Sequence, residues 1–274
     1  MTLTRRQVRD LLDRHGLAPS RALGQNFVVD PNTVRRIVRL SGAGPGDNVV
    51  EVGAGLGSLT LALSDAGASV TAVEVDRGLL LALREVVAGT AVRVVEGDAM
   101  TLDWDAVLGG DRAWRLVANL PYNVATPLVV DLLDRVPAIE QMLVMVQREV
   151  GERLAAQPGE PACGIPSVRV AYWATAKLIG RVPPDVFVPR PRVESALVRI
   201  VRRPEPAVSA DPERLFAMVR AGFGKRRKML RGALAGVVSP AAFAAAGVRP
   251  EDRAEQLSIE DWGRLADAVT ACAP

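Results

Sequence analysis

The stretch from residue 48 to residue 58 limits what this chain can fold into more than any other. The apolar run Asn48–Val52 leads into Glu51-Val52-Gly53-Ala54-Gly55-Leu56-Gly57, and a helical pattern over 58–66 follows at once. Glycine accepts the backbone angles of a tight turn and, lacking a side chain, lets the main chain come close to a ligand. A strand, a glycine turn and a helix in that order form one unit of a parallel α/β sheet.

The neighbouring sequence repeats the rhythm. Strand-like runs at 69–75, 92–95, 115–118 and 141–146 alternate with helical patterns at 77–87, 125–133 and 148–156, as in a doubly wound, Rossmann-like sheet. Upstream, a helix over 4–15 is capped by Thr4 and stopped at Gly16, and a second begins at Asp30-Pro31, with Asp as the cap and Pro in the first helical position. Downstream, a helical stretch at 167–173 precedes two strand-like runs, 176–182 and 195–201. These bracket the proline-rich 183–191, which predicts an antiparallel hairpin at one sheet edge. After Arg203-Pro204-Glu205-Pro206 the pattern is helical only, over 212–223, 225–235, 240–246 and 259–271. The expected organisation is an α/β domain over 1–205 and a small all-helical C-terminal domain over 206–274.

The strand ends carry the chemistry. In the glycine turn Ser58 stands where a dinucleotide fingerprint has its third glycine, and Glu51 precedes the turn, which is the methyltransferase form and not the nicotinamide form. Glu74 ends the next strand, where a carboxylate can accept hydrogen bonds from both ribose hydroxyls, with Asp76 as the nearby competitor. Asp98, in Gly97-Asp98-Ala99, ends the third and can accept from an adenine amino group. Open α/β sheets bind ligands at this edge, so Gly53, Gly55, Glu74 and Asp98 together imply an adenosyl cofactor on a class I methyltransferase sheet, S-adenosyl-L-methionine as methyl donor.

Asn119-Leu120-Pro121-Tyr122 ends the fourth strand. The exocyclic nitrogen of adenine is a weak nucleophile because its lone pair is delocalised into the ring. The Asn119 side-chain oxygen and a main-chain carbonyl at Leu120 or Pro121 can hold its hydrogens and favour a pyramidal nitrogen as the methyl arrives. Catalysis is then positioning plus stabilisation of developing positive charge, with no strong base. Tyr122 offers a flat face for a base taken out of its stack.

Composition narrows the alternatives. The single histidine, His15, and the widely separated cysteines Cys163 and Cys272 exclude a histidine triad and any paired metal-ligand spacing, so no metal is expected. No apolar run approaches the roughly 18 residues of a membrane span, and no apolar signal region follows Thr4-Arg5-Arg6, so a cytoplasmic monomer is expected. The net charge is +3. Residues 201–274 carry 12 Lys and Arg against 9 Asp and Glu, residues 1–200 carry 22 of each, and eight arginines (Arg5, Arg6, Arg9, Arg14, Arg21, Arg35, Arg36, Arg39) crowd the first forty positions. Because 31 of the 34 basic residues are arginine, a GC-rich genome is an alternative source of this bias, and composition alone supports a polyanionic partner only weakly. The cluster Lys225, Arg226, Arg227, Lys228 and Arg231, with Arg220 at helical spacing, reads as a phosphate-tracking RNA-binding face.

The ordered set Gly24-Gln25-Asn26-Phe27, the glycine turn, Glu74, Gly97-Asp98-Ala99 and Asn119-Leu120-Pro121-Tyr122 resembles the small-subunit ribosomal RNA adenine dimethyltransferases of the KsgA family. Pro183-Pro184-Asp185-Val186-Phe187-Val188-Pro189-Arg190-Pro191, followed by Val193-Glu194-Ser195, resembles that family's late loop. Phe223-Gly224-Lys225 through Leu230-Arg231, with Arg253-Ala254-Glu255 and Leu257-Ser258, resembles its C-terminal helical domain. The resemblance spans about residues 20–270 and implies dimethylation of two adjacent adenosines in a hairpin near the 3' end of small-subunit RNA, within the assembling small ribosomal subunit. It also implies that Asn26 and Val28 cover the cofactor, that Gly53, Glu74, Asp98 and Asn119 contact it or its methyl path, and that Phe187 faces the target base, although Asn26 as a turn residue and Phe187 as core stay open. Val28 where leucine is usual, Gly232 where asparagine is usual, and Cys163-Gly164-Ile165-Pro166 depart from the family pattern.

Three other readings compete. A macrolide-resistance (Erm-type) methyltransferase of large-subunit RNA shares the cofactor motifs, but Leu120 and the Lys225–Arg231 cluster favour the small-subunit reading. A non-catalytic assembly factor is disfavoured by intact Asn119 and Tyr122. A nicotinamide dehydrogenase fails on Ser58 and on the lack of a proton-transfer histidine or a Tyr-x-x-x-Lys motif.

Overall fold

The computed structural model describes residues 2–20, 22–110, 112–225 and 227–271. Arg21, Arg226 and Cys272, all singled out in the sequence, lie outside the described residues. In chain order the elements are α1 (Arg5–Arg14), β1 (Phe27–Val28), α2 (Pro31–Ser41), β2 (Asn48–Val52), α3 (Ser58–Asp65), β3 (Ser69–Glu74), α4 (Arg77–Val86), β4 (Arg93–Glu96), α5 (Trp104–Leu108), β5 (Trp114–Asn119), α6 (Ala125–Arg135), β6 (Ile139–Gln147), α7 (Arg148–Ala155), α8 (Ile165–Trp173), β7 (Ala174–Val182), β8 (Phe187–Val188), β9 (Ser195–Arg202), α9 (Pro212–Gly224), α10 (Leu230–Ala233), α11 (Pro240–Ala246) and α12 (Ile259–Ala271).

Seven strands form one sheet in the order β4-β3-β2-β5-β6-β9-β7. The first five are parallel and β9 runs antiparallel to β6. Strand order reverses between β2 and β5, and a crevice opens outside the carboxyl ends of the strands at such a switch point. Local chemistry sets the element ends. Thr4 accepts from the Gln7 amide in a capping box, Asp30 accepts from the Asn32 and Thr33 amides ahead of Pro31, and Gly42 closes α2 in a left-handed conformation. The Arg202 guanidinium donates to the Leu132, Leu133 and Val136 carbonyls at the end of α6 and to Ile139, tying the last strand to the middle of the sheet.

The chain divides into two compact units. One comprises residues 1–151 with 177–202, the other 152–176 with 203–274. The sequence boundary near 205 left 152–176 in the first domain. The structure groups that segment with the later helices, because Val168 and Tyr172 of α8 join the apolar cluster of Leu215, Phe216, Trp262 and Leu265, and Tyr172 meets Phe216 edge-on at 5.2 Å. In that unit Trp262 is fully buried against Gly222, where a Cβ would lie only 2.7 Å from the indole.

Two further differences concern candidate residues. The helix expected over 225–235 is only Leu230–Ala233. Lys225 and Arg227 lie in turns, Lys228 N donates to the Lys225 carbonyl at 2.8 Å, and Met229 is extended before α10. Lys225, Arg227 and Lys228 therefore project from a turn, and helical spacing does not align Arg220 with Arg227 and Arg231. A two-stranded ribbon that the sequence did not suggest pairs Phe27 with Val188 and Val28 with Phe187.

Candidate active site

The carboxyl ends of β2, β3, β4 and β5 open onto one cavity of about 990 Å³. Its wall contains every residue assigned to the cofactor from sequence: Asn26, Val28, Gly53, Gly55, Glu74, Asp98 and Asn119. The motifs meet there physically. A Cβ on Gly53, whose φ is +71°, would lie 3.4 Å from Pro121, and one on Gly55, at φ +59°, 3.1 Å from the Phe27 ring. Left-handed φ and close packing by two other motifs explain why both positions are glycine.

Glu74 is buried at 5% exposure and both of its oxygens are held. One accepts from the Gly55 amide at 2.8 Å, the other from the Val75 and Asp76 amides at 3.0 and 2.9 Å. Burial raises its carboxyl above the ordinary range, and the three amides oppose that rise. Of the roughly four acceptor sites of a carboxylate, these three amides leave one, on the oxygen that accepts from Gly55, for a further donor. Asp76 is not the ribose competitor suggested by sequence: it caps α4 by accepting from Gly78 and Leu79 and takes the Gln25 side-chain amide at 2.7 Å. Asp98 is exposed at the rim and accepts from the Met100 amide at 2.9 Å. Glu51 lies deeper. Burial pushes its carboxyl up to about 8, the Glu74 charge adds to the rise, and the Thr60 hydroxyl, donating at 2.5 Å, opposes it.

Residues 22–26 cross the cleft as a strap held by three side-chain amides. Asn119 Nδ2 donates to the Asn26 carbonyl at 2.9 Å, Asn123 Nδ2 to the Ala22 carbonyl at 3.0 Å, and Gln25 Nε2 to Asp76. The first of these settles the Asn119 amide: with its nitrogen committed to the main chain, Oδ1 is the free end and can act only as an acceptor. The Pro121 carbonyl takes the Val124 and Ala125 amides at the start of α6, which leaves Leu120 as the main-chain acceptor of the pair proposed from sequence. The Leu120 side chain itself is buried at 1% exposure and lies outside the cavity wall.

Tyr122 lines a second cavity, and its hydroxyl shares a 2.7 Å hydrogen bond with the fully buried Ser195. Burial raises the phenol above its ordinary value, so Tyr122 is no base at neutral pH. Phe187 does not face a base. It is fully buried among Val28, Val34, Ile37 and Leu197, and its pairing with Val28 makes it the stem of the late loop. Gln25, Asn123, Thr60 and Ser195 were missed as site residues; Gln25 and Ser195 lay inside recognised motifs, and Asn123 and Thr60 did not.

The cavity fits an S-adenosyl group by its donor set. Leu56, Val75, Leu79 and Met100 supply apolar wall, Glu51, Glu74 and Asp98 supply acceptors, and among the described residues no lysine or arginine lines it, as suits a sulfonium cation. A doubly wound sheet with acidic strand ends around such a cleft is that of a class I S-adenosylmethionine-dependent methyltransferase. Residues 18–271 match the family described as ribosomal RNA adenine dimethylase, and the chain belongs to that family. It is 53% identical to the "Ribosomal RNA small subunit methyltransferase A" of Kineococcus radiotolerans, over 96% of this chain and 90% of that protein. Against the Thermobifida fusca protein of the same name the identity is 48%, over 97% and 95%. Among solved structures, the 23S rRNA methyltransferase ErmE aligns at TM-score 0.71 and 27% identity, covering 89% of this chain and 99% of that one. A dimethyladenosine transferase from Plasmodium falciparum, at TM-score 0.70 and 21% identity over 86% and 94%, shares the fold. The protein is thus an S-adenosylmethionine-dependent enzyme whose substrate is ribosomal RNA.

Proposed function

We propose that this chain dimethylates the exocyclic amines of two adjacent adenosines in the 3'-terminal hairpin of small-subunit ribosomal RNA, as a cytoplasmic monomer acting on the assembling subunit. The observation that carries the reading is the Asn119 amide, fixed by the Asn26 carbonyl so that an acceptor oxygen stands at the end of β5. Identities of 44–53% to small-subunit enzymes, against 27% to ErmE, favour the small-subunit target. When bound, the cofactor supplies a methyl group on a sulfonium centre. Glu74 accepts from a ribose hydroxyl with the one lone pair its three amides leave free, Asp98 accepts from the adenine amine of the cofactor, and the strap, through Asn26, together with Val28 of β1 excludes water from above. Asn119 Oδ1 and the Leu120 carbonyl accept the two hydrogens of the target amine, which localises its lone pair. The Tyr122 ring, steadied by Ser195, supports the base by stacking. The proton lost after transfer goes to solvent, since Tyr122 stays protonated. Lys225, Arg226, Arg227, Lys228 and Arg231 of the second unit provide backbone affinity.

The test is incubation with labelled cofactor and each ribosomal subunit, free RNA included, followed by primer extension. Modification of two adjacent adenines in the small-subunit RNA is expected. Labelling confined to the large subunit, or none, refutes the reading.

A further inference from the structure

The two cavities of the first unit carry opposite charge. Among the described residues, the cofactor cavity is lined by Glu51, Glu74 and Asp98 and by no lysine or arginine, whereas the second, about 1370 Å³ of open space beyond the strap, is lined by Arg190 and Arg192 and by no carboxylate. Gly24, Gln25 and Asn26 belong to both walls, so the strap is the partition. Both guanidiniums are exposed and neither has a carboxylate partner among the described residues. The nearby Arg148 differs, being paired with Glu194 at 3.1 Å.

The segment that bears these arginines is pinned at both ends. On one side Phe187 is buried, its strand pairs with β1, and the Val29 amide donates to the Val186 carbonyl at 2.8 Å. On the other, Ser195 holds the Tyr122 hydroxyl. Each arginine follows a proline, Pro189 and Pro191, whose ring fixes the preceding φ. Ordering such a loop on binding costs little entropy. Two guanidinium forks beside an aromatic face match a nucleic-acid strand, in which a base is flanked by phosphates.

We propose that Arg190 and Arg192 grip the RNA phosphates on either side of the nucleotide presented to Tyr122, so that the late loop of the first unit sets which base enters. This rests on the RNA-methylating reading above but is tested by binding. Affinity for a small-subunit hairpin RNA is measured across a salt series for the wild type, the double variant Arg190→Ala/Arg192→Ala and the charge-keeping Arg190→Lys/Arg192→Lys, with cofactor affinity by equilibrium dialysis alongside. Loss of two single-strand phosphate contacts lowers the slope of log affinity against log salt by about 1.4, which amounts to roughly 25-fold weaker binding at 0.1 M salt. The lysine variant keeps the slope and cofactor affinity is unchanged. An unchanged slope in the alanine variant overturns the proposal, as does a defect seen only with assembled subunits and not with protein-free RNA, which assigns the arginines to a protein contact. A wild type that binds RNA with the expected slopes yet methylates no adenine defeats the functional reading and leaves the phosphate grip standing.

Discussion

Glu51 makes the stability of the first unit depend on pH in a direction opposite to that of most surface carboxylates. Its carboxyl titrates near 8 in the folded chain against 4.5 when free, because burial removes it from water and the charge of Glu74 discourages a second anion. The folded state therefore holds a proton that the unfolded state has already released between those two values. Stability from this group is fully present below about pH 4.5, falls by about 1.4 kcal/mol for each pH unit above it, and levels off past pH 8. Raising the pH from 5.5 to 7.5 should cost about 3 kcal/mol through this one side chain. Glu51→Gln, which keeps the shape and can still accept from Thr60, removes the titration. The assay is urea unfolding of both proteins at several pH values between 5.5 and 8, following the transition of the first unit. Groups not coupled to Glu51 contribute equally to the two profiles, so their difference isolates Glu51 together with its coupling to Glu74. The gap between variant and wild type should widen with pH by about 3 kcal/mol over those two units. Parallel profiles would refute a buried, proton-holding Glu51.

Three other outcomes are expected. Asn119→Ala should leave cofactor affinity, read by equilibrium dialysis, nearly intact while lowering single-turnover methyl transfer by roughly 10²-fold, the usual effect of losing one stabilising group. Tyr122→Ala should lower transfer more than Tyr122→Phe, because stacking needs the ring; Tyr122→Phe should still lose on the order of 1–3 kcal/mol in chemical unfolding, because the buried Ser195 hydroxyl is left without its partner. Replacing Lys225, Arg226, Arg227 and Lys228 with alanine should weaken RNA binding and flatten its salt dependence in filter binding.

The residues at strand ends were legible in the sequence because a parallel sheet converts order along the chain into neighbours along one edge. Once β2, β3, β4 and β5 are assigned, Gly53, Glu74, Asp98 and Asn119 have nowhere else to go. The side chains that hold the strap were not legible. Gln25 meets Asp76 across 51 positions and Asn123 meets Ala22 across 101, and nothing in local periodicity encodes such pairs. Apolar patterning also reports that a residue is buried without saying in which core, so Val168 and Tyr172 of α8 could not be assigned to the second unit before their partners in α9 and α12 were seen. The stretch from Lys225 looked helical by its charge spacing, yet charge spacing constrains only a face: α9 ends at Gly224, and the next helix starts only at Leu230, after an extended Met229.

Phe187 shows how this limit bears on mechanism. An aromatic residue in a proline-rich loop near an acceptor site invites the role of a stacking platform, and pattern alone cannot separate that role from a core one. A two-residue ribbon separates them: Val28 on one strand and Phe187 on the other bury each other's neighbourhood, and the loop beyond is left with Arg190 and Arg192 as the side chains that reach the second cavity. On the proposed reading, recognition of the base falls to one aromatic face, Tyr122, and recognition of the strand to the two guanidiniums, with Phe187 supplying the fixed point from which both are measured.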